Sequence, residues 1–223
     1  MTGRYRGLLV DYGGVLTSSM SVSFAAFCVA NGVDPRRLTG VLATAYSTAE
    51  EAGVPANDMH DLVAAVETGR IEPAEFDRRL AAALSDGLPE PIEPHGLTAK
   101  LLAVLRPDEE MRSAVAEVRR QGLKTALISN TWGVDPPHDV EGLFDTVVLS
   151  GREGLRKPEP AIYLLAAARL GLEPDRCVFI DDMPANVEGA SAVGMAGVLH
   201  RDPAITIPKL EALFGMTLRP SVR

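Results

Sequence analysis

The sequence predicts a doubly wound parallel α/β sheet interrupted, after its first strand, by an all-helical insert. Three observations lead there. Outside residues 18–100, short apolar runs alternate with segments of helical length, the pattern of βαβ units. Between residues 18 and 100 no strand-like run occurs, and helical segments follow one another directly. Finally, the polar groups Asp11, Ser129, Lys157 and Asp181-Asp182 lie at or near the ends of apolar runs, and in an open parallel sheet the strand C-termini share one crevice.

Residues 4–11 read as the first strand. Gly7-Leu8-Leu9-Val10 is an apolar run that delivers the single carboxylate of Asp11, and Gly13-Gly14 then lets the backbone turn tightly beside a ligand. The insert reads as helices at Val22–Ala30, Arg37–Glu51, Asp58–Glu67, Ala74–Ser85 and Thr98–Leu105. Breaks fall at Gly32–Pro35, Gly53–Pro55, Gly69–Pro73 and Gly87–Pro94. The stretch Gly87–Gly96 is either a loop of the insert or part of its return to the sheet. Residues 109–121 form a helix, with Met111, Val115 and Val118 at helical spacing, Glu109 and Glu110 in the first turn, and Arg119 and Arg120 in the last. Leu123–Ser129 and Thr146–Ser150 follow as strands. Next come a helix at Pro160–Leu170 closed by Gly171, a strand at Cys177–Asp181, a helix near Pro184–Val193 and a last short strand at Ala196–Leu199. The expected division is a core of residues 1–17 and 100–223 with an inserted domain of residues 18–99.

Bulk properties narrow the function. A chain of 223 residues can bury a substantial core. The net charge of −8, with no run of Lys and Arg, argues against a nucleic-acid partner. No apolar stretch approaches the length of a membrane span, and the N-terminus lacks a signal-peptide pattern, so no membrane partner is expected. Cys28 and Cys177, far apart and each in apolar context, are expected as buried, reduced thiols of a cytoplasmic protein. His60, His95, His138 and His200 show neither metal spacing nor a triad and receive no catalytic role, although His60 could reach a substrate from the insert. Monomer and homodimer are both open.

The chemistry rests on few residues. Asp11 is the candidate nucleophile, since a carboxylate can attack phosphorus and hold the phosphoryl group until water removes it. Alone it would read as a turn residue; three further stretches make it a site. Ser129 offers a hydroxyl to a phosphoryl oxygen, and Asn130 with the backbone N–H groups of its turn adds donors. Lys157 would neutralise the phosphoryl charge and pair with the nucleophile, with Pro158 fixing the backbone beside it. Asp181 and Asp182 raise each other's pKa unless a cation lies between them, which fits a metal site of hard oxygen donors. Trp132 and Tyr12 flank the site and either line a substrate pocket or simply pack.

These stretches, in this order and separation, resemble the haloacid dehalogenase (HAD) superfamily of hydrolases, over nearly the whole chain outside the insert. Ser129-Asn130-Thr131-Trp132, Arg156-Lys157-Pro158-Glu159-Pro160-Ala161-Ile162-Tyr163 and Phe179-Ile180-Asp181-Asp182-Met183-Pro184-Ala185-Asn186-Val187 resemble the N-terminal phosphatase domain of soluble epoxide hydrolases and their bacterial relatives. The resemblance implies a Rossmann-like core and a mobile cap made by the insert. It implies Mg²⁺ held by Asp11, the Gly13 carbonyl and Asp182, with Asp181 either binding the metal or orienting Lys157. Specificity would lie in the cap and in the loop from Trp132 to Val140.

One position departs from the pattern. Phosphatases of this superfamily usually carry a second Asp two residues after the nucleophile, as general acid and base, and Gly13 stands there instead. Such help is worth about 10²–10⁴ in rate. Either the substrate has a good leaving group, or a cap residue supplies the acid, or the reaction needs none. The 2-haloacid dehalogenases of the superfamily also lack this Asp, but need no metal; the Asp181-Asp182 doublet therefore favours Mg²⁺-dependent hydrolysis of a small or activated phosphate ester. A dehalogenase-type hydrolase and a phosphate-binding protein with little turnover are the alternatives.

Overall fold

The computed structural model describes residues 4–46, 58–86, 88–137, 140 and 142–218. Five parallel strands form one sheet in the order β3-β2-β1-β4-β5: β1 is Gly7–Val10, β2 Lys124–Ser129, β3 Thr146–Leu149, β4 Cys177–Asp181 and β5 Ala196–Leu199. The central strand β1 is buried along its whole length, and Leu9 pairs with Ala126 on one side and Phe179 on the other. Alternation along it feeds two cores. Leu8 and Val10 pack with Met111, Val115 and Val118 of α6 (Glu109–Arg120) and with Leu210 and Phe214 of α10 (Pro203–Phe214). Leu9 packs on the opposite face with Ile162, Tyr163 and Ala166 of α8 (Pro160–Leu170) and Ala190 of α9 (Pro184–Ala192). With both faces covered, the strands read as continuous apolar runs rather than alternating ones.

Local chemistry explains the element ends. Asp108 caps α6, its carboxylate accepting from the Met111 N–H at 2.9 Å, with acidic residues in the first turn and basic ones in the last. Pro160 opens α8, and Gly171, at φ 69°, closes it. A short helix α7 (Ser150–Glu153) follows β3 directly.

Between β1 and β2 the described residues form helices α1 (Met20–Ala30), α2 (Pro35–Tyr46), α3 (Asp58–Glu67), α4 (Pro73–Ser85) and α5 (Leu97–Leu102). They share an apolar cluster of their own, including Phe24, Phe27, Leu38, Val63, Phe76 and Leu101, into which one residue of the sheet region, Trp132, projects. The chain leaves and re-enters the α/β part side by side: Thr17 bridges Pro107, the Ser18 N–H donates to the Arg106 carbonyl at 2.7 Å, and the Asp108 N–H to the Leu16 carbonyl at 2.9 Å.

Several expectations shift in detail. The first strand is shorter than residues 4–11, and the helix expected at Thr98–Leu105 runs from Leu97 to Leu102, so the boundary placed at residue 99 falls inside α5. The last part of the helix expected at Arg37–Glu51, the break at Gly53–Pro55, Gly87 and His138 lie outside the described residues. The sequence reading assigns nothing after Leu199, yet α10 forms there, with Asp202 capping it and Pro203 at its first position. Pro208 within it argues against a helix on propensity; burial of Ile207, Leu210 and Phe214 overrides that. Cys28 and Cys177 are buried and unpaired. Among the described residues no helix is long and apolar enough to cross a membrane.

Candidate active site

The chain order β1, β2, β3 on one side and β4, β5 on the other makes the C-terminal edge between β1 and β4 the switch point of the sheet. Asp11 and Asp181 lie there. The Asp11 N–H donates to the Ile180 carbonyl at 3.0 Å, which continues the strand pairing and ties the two carboxylates to adjacent strand ends. Lys157 reaches between them, its Nζ 2.6 Å from Asp11 Oδ1 and 2.7 Å from Asp181 Oδ2, and all three are buried. Carboxylate oxygens of Asp11, Asp181 and Asp182 lie within 4.8 Å of one another. Burial pushes the Asp11 carboxyl up to about 8, against the pull of Lys157 and with Asp181 and Asp182 adding to it. Burial and then Asp181 push Asp182 up to about 6. Burial alone would lower the Lys157 ammonium, but Asp11 and Asp181 outweigh it and hold it protonated far above neutral pH.

Asp181 is the most heavily hydrogen-bonded of the three carboxylates. Its Oδ1 accepts from the Met183 N–H at 2.8 Å and Asn186 Nδ2 at 3.0 Å, and its Oδ2 from Lys157 and again Asn186. Asp182 is less enclosed and closer to Gly14. Gly14 has φ 77°, and a Cβ there would stand 2.4 Å from Asp182 Oδ2, so both backbone conformation and space demand glycine. Gly13 differs. Its φ is ordinary, and a Cβ there would meet only the flexible Met20 side chain, with Sδ at 2.6 Å. The helical region thus lays a thioether over the position from which a second aspartate would project.

The other predicted residues fall as follows. Ser129 ends β2, buried, with its Oγ at a long 3.5 Å from the Asn130 carbonyl, so its hydroxyl is lightly engaged. The Asn130 amide is engaged within the protein. Its Oδ1 accepts from the Lys157 N–H at 2.9 Å and its Nδ2 donates to the Lys157 carbonyl at 3.1 Å and to Glu67 Oε2 at 3.3 Å, so the amide grips the lysine backbone. The Thr131 N–H in the same turn is taken by Ser150 Oγ at 2.9 Å. Trp132 is buried against Phe24 and Phe76, with ring centroids 6.1 and 5.5 Å apart, and Tyr12 packs at the edge of the sheet core. The His200 ring bonds Thr206 Oγ1 at 2.9 Å, consistent with a structural role.

Sequence reasoning gave no role to Asn186, Glu67 or Met20. Asn186 sits in the first turn after a strand-end aspartate, where a side-chain amide can reach back; that spacing is a usable signal. Glu67 ends α3 as an apparent solvent-facing terminus, yet it is completely buried and paired with Arg156, Nε to Oε2 at 2.7 Å. Nothing local marks it.

The site opens into a cavity of about 720 Å³ between the strand ends and the helices. Asp11, Ser129, Lys157 and Asp182 occupy one end; Phe24, Leu38, Leu42, Leu102 and Trp132 contribute to its apolar wall.

Comparison with known proteins identifies the family and the fold. The family model for haloacid dehalogenase-like hydrolases matches residues 5–194. Sesquiterpene phosphatase astK of Aspergillus oryzae is 31% identical over 67% of this chain and 77% of its own length. Bifunctional epoxide hydrolase 2 of Rattus norvegicus is 28% identical over 63% of this chain, which spans only 27% of that protein. Among solved structures, an asp12ala mutant of a HAD family enzyme from Bacteroides thetaiotaomicron, in complex with magnesium and inorganic phosphate, shares the fold at TM-score 0.56 and 21% identity, covering 88% of this chain and 94% of that one.

Proposed function

The chain belongs to the haloacid dehalogenase-like hydrolases, and within that family we propose that it is a Mg²⁺-dependent phosphatase acting on a monophosphate ester through an aspartyl phosphate on Asp11. The observation that carries the reading is a surplus of carboxyl groups over cations: three carboxyls, two of them buried, within 4.8 Å of one another, with Lys157 ion-paired to two of them. Burial and the neighbouring carboxylates raise Asp11 and Asp182 together, a state that a divalent cation relieves. The donors are hard oxygens, the set Mg²⁺ prefers. Asp11, Asp182 and the Gly13 carbonyl would hold it, with Asp181 orienting Lys157. When bound, the ion would neutralise charge on the phosphoryl oxygens.

Each residue then has a task. Lys157 ties down Asp11 Oδ1, which leaves Oδ2 to form the bond to phosphorus. The ester P–O bond breaks, and its electron pair leaves on the ester oxygen. Ser129 Oγ donates to a phosphoryl oxygen as the group turns over. Water then attacks phosphorus, releasing phosphate and the Asp11 carboxylate. Gly13 and the Met20 thioether give the departing oxygen no proton, so activated esters react fastest. The apolar wall receives the body of the ester, and its burial there supplies binding energy. The helical block would act as the cap, hinged where Leu16–Ser18 runs beside Arg106–Asp108.

Phosphate release from a panel of aryl, acyl and alkyl phosphates, with Mg²⁺ or with chelator, tests this reading. The expectation is Mg²⁺-dependent release that steepens as the leaving group becomes more acidic and vanishes in Asp11→Asn. Halide release from 2-haloacids without phosphate release would transfer the protein to dehalogenation. Stabilisation by phosphate analogues with no turnover would make it a binding protein.

A further inference from the structure

We infer that Glu67 is a positioning residue: its buried pair with Arg156 latches the helical block onto the α/β core and, through Asn130, fixes where Lys157 sits. The consequence for turnover rests on the phosphatase reading; the latch itself does not.

The carboxylate is completely buried and divides its partners between its two oxygens. Oε1 accepts from Tyr46 Oη at 2.8 Å and Trp132 Nε1 at 3.3 Å. Oε2 faces Arg156 Nε at 2.7 Å and Asn130 Nδ2 at 3.3 Å. Tyr46 belongs to the helical block, but Trp132, Arg156 and Asn130 belong to the α/β part. Most of what satisfies this anion is therefore available only when the block is seated. Glu67 is also the last residue of α3, where the helix dipole disfavours a negative charge. Burial raises its carboxyl, with Arg156 pulling the other way, so the pairing must be close for the charge to persist.

An independent contact puts the seat in the same place. Gly69, two residues on, has φ 67°, and a Cβ there would lie 2.6 Å from the Gly151 carbonyl oxygen in α7. The chain leaving α3 thus abuts core backbone directly. From Glu67 the connection continues inward without a gap: Asn130 holds the Lys157 N–H and carbonyl, and Lys157 bridges Asp11 and Asp181. Opening the block removes the carboxylate from Asn130 and Arg156, and the grip on the lysine backbone loosens. Closing restores it, so block seating and nucleophile placement form one event.

Trp132 is the sole tryptophan and donates to Glu67, so its fluorescence reports the latch without any turnover. The experiment compares wild type, Glu67→Gln, Arg156→Gln and the double variant by acrylamide quenching and by kcat on 4-nitrophenyl phosphate with Mg²⁺. Each single substitution strands one buried charge, so each should raise quenching and lower kcat about tenfold, while the double, with neither charge, should recover most of both. If a single variant loses its circular dichroism, a folded double supports the pairing equally. Singles that match wild type in quenching and kcat overturn the inference, as does a double whose losses are the sum of the two, including all three unfolded. Wild type with no turnover on any phosphate removes the phosphatase reading alone, and quenching then decides the latch.

Discussion

The two sides of the cavity differ in kind. The strand-end side gathers Asp11, Lys157, Asp181 and Asp182 from segments up to about 170 residues apart, and Lys157 ties Asp11 to Asp181 by ion pairs. The helical side brings apolar surface, one thioether over Gly13 and one buried carboxylate, Glu67, paired with Arg156. The contrast teaches a division of labour. The sheet fixes which chemistry is available, because only the convergence of parallel strand ends can hold so many charges so close. The helices decide how strongly those charges act, because excluding water lowers the local dielectric and makes each one count for more.

That division can be broken at its strongest point first. Lys157→Ala removes the ammonium shared by two buried carboxylates and should cost about 3–5 kcal/mol of stability in urea denaturation, along with turnover. Added Mg²⁺ should return part of the stability, since it relieves the same repulsion. Stability unaffected by the substitution would mean that these carboxylates are not charged together in the folded protein.

The paired glycines sharpen the comparison, since one touches each side. Gly14→Ala forces a strained φ and drives a methyl into Asp182, so Mg²⁺ affinity by calorimetry should fall tenfold or more, about 1.4 kcal/mol. Gly13→Ala meets only Met20 and should bind Mg²⁺ nearly as wild type does. Gly13→Asp combined with Met20→Ala supplies the missing acid and the room for it, and should raise hydrolysis of alkyl phosphates by about 10²-fold while changing activated esters little. An equal effect on both would show that proton delivery does not limit the reaction.

The smallest effect is a titration. With Asp11 raised to about 8 and Asp182 to about 6, the folded metal-free protein holds protons that the unfolded chain has already released. Stability without Mg²⁺ should therefore fall as pH rises from about 4, the unfolded carboxylate value, toward about 8, and then level off. Mg²⁺ should flatten that slope and at pH 7 displace protons on binding, measurable by calorimetry in buffers of different ionisation enthalpy. A rising slope without metal would contradict the assigned shifts.

What the sequence disclosed follows the same line. Asp11, Ser129, Lys157 and Asp181-Asp182 were legible because each ends or closely follows an apolar run, and parallel topology sends all such ends to one edge. The turn at Asn130 was legible as polar but not as to direction: its amide grips the Lys157 backbone, a contact between residues 27 apart that no local pattern announces. Glu67 was hidden for a related reason. A glutamate before Thr68-Gly69 at a helix end looks solvated, and only the docking of α3 on the core buries it. The helix α10 has Pro208 against it locally, and the sheet face it covers lies far away in sequence.

The central claim, a phosphoryl group carried on Asp11, is tested most directly by acid-quenching the protein within milliseconds of mixing with acetyl phosphate and Mg²⁺ and mapping the adduct by peptide mass spectrometry. The account predicts one phosphoryl group on the peptide containing Asp11, absent in Asp11→Asn and absent without Mg²⁺. Steady release of phosphate by wild type with no adduct at any quench time, and with turnover surviving in Asp11→Asn, would contradict it.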